Sequence, residues 1–417
     1  MATQKSNAFN QQVEKNQAIQ VIAVQEVTFE NPLPDVYIAR IPIANASWVA
    51  TSDGVVVIDT LLFPHLGRIM KKRIAETCGQ VKYVIYTHGH KDHIGGAIGF
   101  LEDSPIIIGQ RLLPERLEKY RLLNAHGSRI SSVQFNIPER NRSAEAYVEP
   151  SLLYDEEMQF RLGDKTFELF HARGETDDTT WVYVPEIQAA FVGDLIISGF
   201  PNIGNPFKPT RFALPWARAL EAVRDKDPQL LVAHGGQAVY QGAEVRRLLD
   251  LTIEAIRSIH DQVVDLINRG VPVDEMIHMV ALPDHLKGEE CLQFRYSRPE
   301  FAVYNIYRWY HGYFDQNPAN LLPRPQKEVN AEIIGLIADP QKVLSRVETL
   351  IKDNKAQLAL QVLDILLQHD PESVPARRLR LRILEKRCEE DYCLMSRNTW
   401  VYFMEQDKAF LSNVEKA

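Results

Sequence analysis

The segment Thr87-His88-Gly89-His90-Lys91-Asp92-His93 constrains this chain more than any other part of it. It follows the apolar run Val81 to Tyr86 and precedes Gly95-Gly96. The sequence therefore predicts a buried strand whose carboxyl end opens into a loop crowded with nitrogen and oxygen donors. His88 and His90 can face one metal ion while Asp92 and His93 turn towards a second, at the ~2.0 to 2.2 Å that zinc takes to such ligands. A histidine-rich surface loop is the other reading, and the strand before it and the glycines after it argue against that.

Two cations about 3.5 to 4 Å apart call for a bridging carboxylate and further ligands. Three later strand ends supply candidates. Glu175 lies in Gly174-Glu175-Thr176-Asp177-Asp178 after the run Thr166 to Phe170, Asp194 ends Ala190-Phe191-Val192-Gly193-Asp194, and His234 lies in Leu231-Val232-Ala233-His234-Gly235-Gly236. Each alone would suit a turn or a cap; together with the first loop they predict ligation. Asp59, ending Val55-Val56-Val57-Ile58-Asp59, has two readings, an acceptor for a ligand histidine N–H or a turn and helix-cap residue. His171 is a competing ligand, placed on a strand rather than in a loop.

The rest of the chain fits an α/β fold. Short, often β-branched runs at Gly54 to Asp59, Val81 to Thr87, Pro105 to Gly109, Thr166 to Phe170, Thr180 to Val184, Ala189 to Asp194 and Gln229 to His234 read as buried strands. Between them Leu66 to Cys78, Leu112 to Asn124 and Trp216 to Asp225 have helical spacing, which gives a layered architecture. Past Glu244 the strand signal fades and Val245 to Asn268 reads as one long helix. The expected division is a polar tail over 1–19, a catalytic domain over 20–244, connecting helices and a turn-rich junction over 245–324, and a small all-α domain over 325–417. Its helix pairs suggest a tetratricopeptide-like arrangement, though without a clear 34-residue self-match.

The net charge of -8 is dispersed and no lysine or arginine run could track a phosphate backbone, which argues against nucleic-acid binding. The scattered Cys78, Cys291, Cys388 and Cys393 match neither a zinc ribbon nor a dense disulfide framework. The polar start to about Gln17 lacks the apolar core of a secretory signal, and no later stretch approaches ~18 uninterrupted apolar residues. The expectation is a cytoplasmic enzyme without a membrane span.

On the His-x-His-x-Asp-His loop and the three later strand-end ligands, residues 20 to 240 resemble the metallo-β-lactamase superfamily, which implies an αββα sandwich. Where that superfamily usually has histidine this chain has Glu175, and the alkyl sulfatase branch is similar in placing glutamate there. That branch also spaces its two acidic ligands as Glu175 and Asp194 are spaced, 19 residues apart. The stretch Trp309-Tyr310-His311-Gly312-Tyr313-Phe314-Asp315-Gln316-Asn317-Pro318-Ala319-Asn320-Leu321 resembles the start of its dimerisation domain, which implies a homodimer formed through residues 325–417. Asp194 departs from the branch's bridging glutamate. The secreted members' signal peptide and sterol-carrier-like domain have no counterpart here.

The resemblance implies a dinuclear hydrolase with two divalent ions, zinc first and iron or manganese as alternatives. Its ligands would be His88, His90, Asp92, His93, Glu175, Asp194 and His234, with Asp92 and Asp194 also acting in catalysis. The implied substrate is an alkyl sulfate, a small anionic ester with an apolar part. Asn202, Lys208 and Arg211 are the counterparts of the branch's sulfate-binding residues, with lysine replacing one arginine. The other readings are hydrolysis of a lactone, thioester or carboxylic ester, a diiron redox protein, for which the carboxylate ligands would be suited, and a non-catalytic interaction protein.

Overall fold

Side chains alternate along a strand, so a strand covered on both faces must feed two different cores. In the computed structural model, which describes residues 26–139, 147–235 and 238–416, the central strands do so. The first sheet contains, in spatial order, β1 (Thr28–Leu33), β2 (Val36–Ile41), β3 (Ala44–Thr51), β4 (Gly54–Ile58), β5 (Val81–Ile85), β6 (Ile106–Gln110) and β7 (Leu152–Tyr154). It is antiparallel as far as β4 and parallel from β4 to β7. The second sheet contains β8 (Glu157–Leu162), β9 (Lys165–Ala172), β10 (Thr179–Val184), β11 (Ala189–Ile197), β12 (Leu230–His234) and β13 (Val239–Gln241), with β11 and β12 parallel and the other pairs antiparallel.

Val56 and Ile58 of β4, Ile85 of β5 and Ile108 of β6 meet Leu169, Val182, Val184, Phe191 and Val232 from the second sheet in one shared core. Val55 and Val57, one residue out of phase, pack instead on Leu66, Met70 and Ile74 of the helix Pro64–Thr77. On the far side, Trp181, Tyr183, Ala190 and Val192 face Trp216, Leu220 and Val223 of the helix Ala213–Asp225 and Leu249, Ile253 and Ile256 of the helix Ala243–Asn268. The result is the αββα order that the resemblance implied. Because each buried apolar side chain contributes about 1.5 to 3 kcal/mol, a one-residue register slip, which exchanges the two faces of a strand, would be prohibitive.

The long helix Ala243–Asn268 is therefore an outer layer of the sandwich, and residues up to His311 cluster with it. A second compact unit takes in residues 129–139 and 312–416. Its helices Gln326–Ile337, Pro340–Lys352, Ala356–His369 and Val374–Glu390 surround Val347, Leu350, Leu363, Leu366 and Ile383, and Leu394–Lys416 packs on Val374–Glu390. Fully buried Asp407 is paired there by Arg377 and Arg380. The expected helix Leu112 to Asn124 is Leu113–Leu122; Leu123 leaves helical geometry at φ -101°, ψ 24°, and a second helix that was not expected, Asn124–Phe135, follows. Among the described residues no helix is long and apolar enough to cross a membrane.

Candidate metal centre

Parallel pairing of β4 with β5 sets the ends of the two strands side by side, so Asp59 arrives next to Thr87. Asp59 accepts the Thr87 N–H at 2.8 Å, the Thr87 hydroxyl at 2.7 Å and the His93 Nδ1–H at 2.7 Å. Of its two readings, the structure selects the acceptor for a ligand histidine. Its φ of +63° lies in the left-handed region, which aspartate enters more readily than most residues. With Nδ1 committed to Asp59, the His93 ring points Nε2 into the site.

The paired glycines after the loop have an equally local cause. A Cβ on Gly95 would stand 2.1 Å from the Leu62 carbonyl oxygen, and one on Gly96 would stand 1.8 Å from that of Thr60. Their absence lets the loop lie directly on the segment after β4, where the Thr60 N–H and hydroxyl both donate to the His93 carbonyl at 2.6 and 2.9 Å.

The seven expected ligands converge as two groups. His88, His90, Glu175 and Asp194 form one, with one ligand atom from each lying within 4.8 Å of the others, and Asp92, His93 and His234 form the second on the same criterion. Asp194 joins them: its Oδ2 is 3.7 Å from His88 Nε2, and its Oδ1 is 3.2 Å from His93 Nε2 and 3.7 Å from His234 Nδ1. His171 lies elsewhere, with Nε2 at 2.7 Å from the Asp177 carbonyl oxygen.

Burial pushes His88 and His90 well below the ordinary imidazole value, which leaves them neutral and able to donate lone pairs. Burial opposes a charge on His93, yet Asp59, Asp194 and Asp92 together hold it well above that value. Burial also pushes Glu175 up to about 8, with Arg211 opposing the rise and Asp194 adding to it. His93 Nε2, His234 Nε2 and Asp194 Oδ1 are buried and make no hydrogen bond; His93 Nε2 faces Asp194 Oδ1 at 3.2 Å, and His234 Nε2 faces Asp92 Oδ2 at 3.3 Å. Orphaned buried donor atoms of this kind are costly unless something electropositive binds them. The set fits a divalent cation, which would neutralise the same carboxylates that favour a proton on His93.

The expected substrate contacts sit on one side. Asn202 donates to Glu175 Oε1 at 2.8 Å, and the fully buried Arg211 guanidinium pairs with the same oxygen. Arg211 Nε and Asn202 Oδ1 are buried and without a hydrogen bond. Asn305 fixes the Arg211 backbone by accepting its N–H at 2.9 Å and donating to its carbonyl at 2.8 Å. Lys208 is half-buried and contributes the largest charge effect on His90, followed among the cations by Arg211 and Arg116.

Sequence reasoning missed several residues that build this centre. The phenol of Tyr296 is held protonated by burial and by Glu175, with Asp92 and Asp194 acting in the same direction. Asn45 of β3 donates to the Ala233 carbonyl at 2.8 Å and accepts the Gly235 N–H at 3.0 Å, clamping the backbone on both sides of His234. No local pattern marks Asn45, because its partners are 188 and 190 residues away. Its replacement by alanine strands a buried N–H and a buried C=O, so a loss of about 1 to 3 kcal/mol in unfolding free energy is expected, read by denaturant titration.

Family sequence profiles match two stretches, the metallo-β-lactamase superfamily at residues 40–236 and the alkyl sulfatase dimerisation family at residues 272–408. A linear primary-alkylsulfatase from a Pseudomonas strain is 23% identical over 361 residues, covering 80% of this chain and 68% of its own. The alkyl/aryl-sulfatase BDS1 of Saccharomyces cerevisiae is 22% identical over 384 residues, covering 84% of this chain and 59% of its own. The solved structure of the stereoselective inverting sec-alkylsulfatase Pisa1 from Pseudomonas sp. superposes with a TM-score of 0.82 at 21% identity, over 91% of this chain and 66% of that one. The chain thus spans between 56% and 68% of the length of the curated relatives it matches.

Proposed function

The chain belongs to the metallo-β-lactamase superfamily, with an alkyl sulfatase dimerisation region behind the sandwich, and from that premise we propose that it is a metal-dependent hydrolase of alkyl sulfate esters. The observation that carries this reading is the cation set beside the first ligand group. Arg211 is buried with an unspent Nε–H, and Lys208 lies close enough to act on His90. A neutral lactone, thioester or carboxylic ester has no use for so much positive charge, whereas a sulfate monoester does. The names of the relatives support the same chemistry.

We read His88, His90, Glu175 and Asp194 as holding one ion and Asp92, His93 and His234 as holding another, with Asp194 between them. Asp92, Glu175, Asp194 and the Asp59 behind them are four carboxylates, whose charge two divalent cations balance. Nitrogen and oxygen donors at these positions favour zinc; the share of carboxylates makes iron or manganese the alternative, decided by metal analysis and an absorption spectrum, which would also reveal a diiron redox centre. When bound, such ions lower the pKa of water from about 15.7 towards 7 and so supply a nucleophile at neutral pH.

The chain's own residues then divide the work. Asp92 is the most open of the carboxylate ligands, its side chain 31% exposed against 11% for Asp194 and 6% for Glu175, so incoming water meets it first. Asp92 and Asp194 orient that water, and the more open Asp92 accepts its proton. Asn202 and Arg211 fix Glu175, the remaining donors of Arg211 hold the sulfate oxygens while charge builds on the leaving group, and the Lys208 charge draws the sulfate into the site. The overall change is alkyl sulfate plus water to alcohol plus hydrogen sulfate.

Purified, zinc-loaded protein is expected to release sulfate from medium-chain alkyl sulfates and to leave matched lactones, thioesters and carboxylic esters largely intact. Absence of sulfate release at every chain length would sink the proposal. Lys208→Ala is expected to raise KM by roughly tenfold, about 1.4 kcal/mol, with kcat changed far less, because it removes a charge that binds ground state and transition state alike. We also propose self-association of two copies through the helical region, tested by light scattering on the full chain.

A further inference from the structure

Neither the proposed reaction nor the ligand set accounts for the ionic cluster formed by Arg116, Asp177 and Asp178. Asp178 is wholly buried, and its Oδ2 accepts the Gly89 N–H at 2.8 Å. Its Oδ1 accepts Arg116 Nε–H at 2.7 Å, and the far end of the same guanidinium pairs with Asp177. Arg116 comes from the helix Leu113–Leu122 and is itself mostly buried. His171 Nε2 meets the Asp177 carbonyl oxygen at 2.7 Å, which steadies the loop from its other side.

The position of these contacts matters more than their number. Gly89 stands between His88 and His90 at the end of a strand of the first sheet, whereas Asp177 and Asp178 follow Glu175 on the loop joining β9 to β10 of the second. The Asp178 carboxylate therefore joins the two loops that supply His88, His90 and Glu175, and the Arg116 guanidinium, from the helix after β6, fixes that carboxylate in place. The fit is tight: a Cβ on Gly89 would come within 2.6 Å of Leu113 Cδ1, 2.8 Å of Arg116 Cδ and 3.2 Å of Asp178 Oδ2. The second ligand group is built otherwise, with Asp59 on His93 and Asn45 around His234.

We infer that Arg116 and Asp178 are positioning residues, a latch across the two sheets that sets the geometry of the His88, His90, Glu175 and Asp194 group and leaves the Asp92, His93 and His234 group largely to Asp59 and Asn45. The inference rests on the reading of these groups as two metal positions. It adds that the two positions are held by separate devices and can be weakened separately. Residues that orient ligands without touching the metal typically change affinity by about 10- to 100-fold.

The test is a zinc titration by calorimetry of the metal-free full chain, with circular dichroism and thermal unfolding of the same samples. The wild type is expected to take up two equivalents. In Asp178→Asn, which keeps the shape but loses the charge that holds Arg116, one equivalent should weaken about 10- to 100-fold while the other is unchanged. Arg116→Lys keeps a charge but cannot reach both carboxylates in the same way, and should fall between the two; it also serves if Asp178→Asn does not fold. Two equivalents bound as in the wild type, or both weakened alike, would overturn the latch. Fewer than two equivalents in the wild type would instead overturn the two-metal reading on which it depends.

Discussion

Asp194→Ala is expected to abolish sulfate release and to lower the affinity for both metal ions at once. Asp194 reaches both groups, with Oδ2 at 3.7 Å from His88 Nε2 and Oδ1 at 3.2 Å from His93 Nε2. Its side chain is held well below the usual carboxylate range, despite burial, by His234, His93 and His88. Alanine would remove a ligand from each ion and take away the carboxylate that stands between the His88, His93 and His234 imidazoles. Supporting residues cost about 10- to 100-fold in affinity when lost, so a shared ligand should cost more than ~100-fold for each ion. Metal content after dialysis and single-turnover sulfate release on the same sample read the two effects. Retention of both ions would show that Asp194 does not bridge. Asp194→Glu keeps the charge but lengthens the side chain between the two groups. It should recover metal binding more fully than rate, because two-metal catalysis depends on the separation of the ions.

What could be read from the sequence and what could not follow from how far each cause acts along the chain. The strands that lead to Asp59, Thr87 and His234 were legible because an unbroken apolar run is a local signal; the run up to Asp194 was legible too, but it does not end there, since β11 continues to Ile197 beside β12. Strands β1 to β3 were not singled out. In β3, the residues Ala44-Asn45-Ala46-Ser47 are buried yet small or polar, a pattern that local hydrophobicity does not record. Asn45 and Ser47 are buried there because they stand next to the centre, along with Asp59, Thr87 and His234. The Arg116–Asp178 pair was invisible for a similar reason: 62 residues separate partners that only the pairing of the sheets brings together. Asp59 marks the boundary between the two cases. Its place at a strand end was readable, but the choice between turn residue and histidine acceptor was made by the parallel register of β4 and β5. Asn202 and Arg211 were found from the resemblance, and only the fold reveals that both first engage Glu175.

That boundary residue is also where stability and function are most tightly joined. Asp59 is 4% exposed and satisfies the Thr87 N–H, the Thr87 hydroxyl and His93 Nδ1 together. Asp59→Ala would strand buried donors, each costing about 1 to 3 kcal/mol, and free the His93 ring to turn or change tautomer. A total near 3 kcal/mol corresponds to a fall in Tm of roughly 6 to 12 °C for a domain of this size. The ligand group containing His93 should in addition bind metal about 10- to 100-fold more weakly. Asp59→Asn separates the two consequences. Its Oδ1 can still accept the Thr87 N–H, so most of the stability should survive, but its amide offers N–H in place of an acceptor to His93. The imidazole would then carry its proton on Nε2, the atom needed for the ion. The expected result is near-normal unfolding of the metal-free chain with a selective loss of the equivalent bound by Asp92, His93 and His234, the mirror image of Asp178→Asn. If Asp59→Asn instead weakened the His88, His90, Glu175 and Asp194 group, the assignment of Asp59 to His93 and of Asp178 to the opposite group would both be wrong.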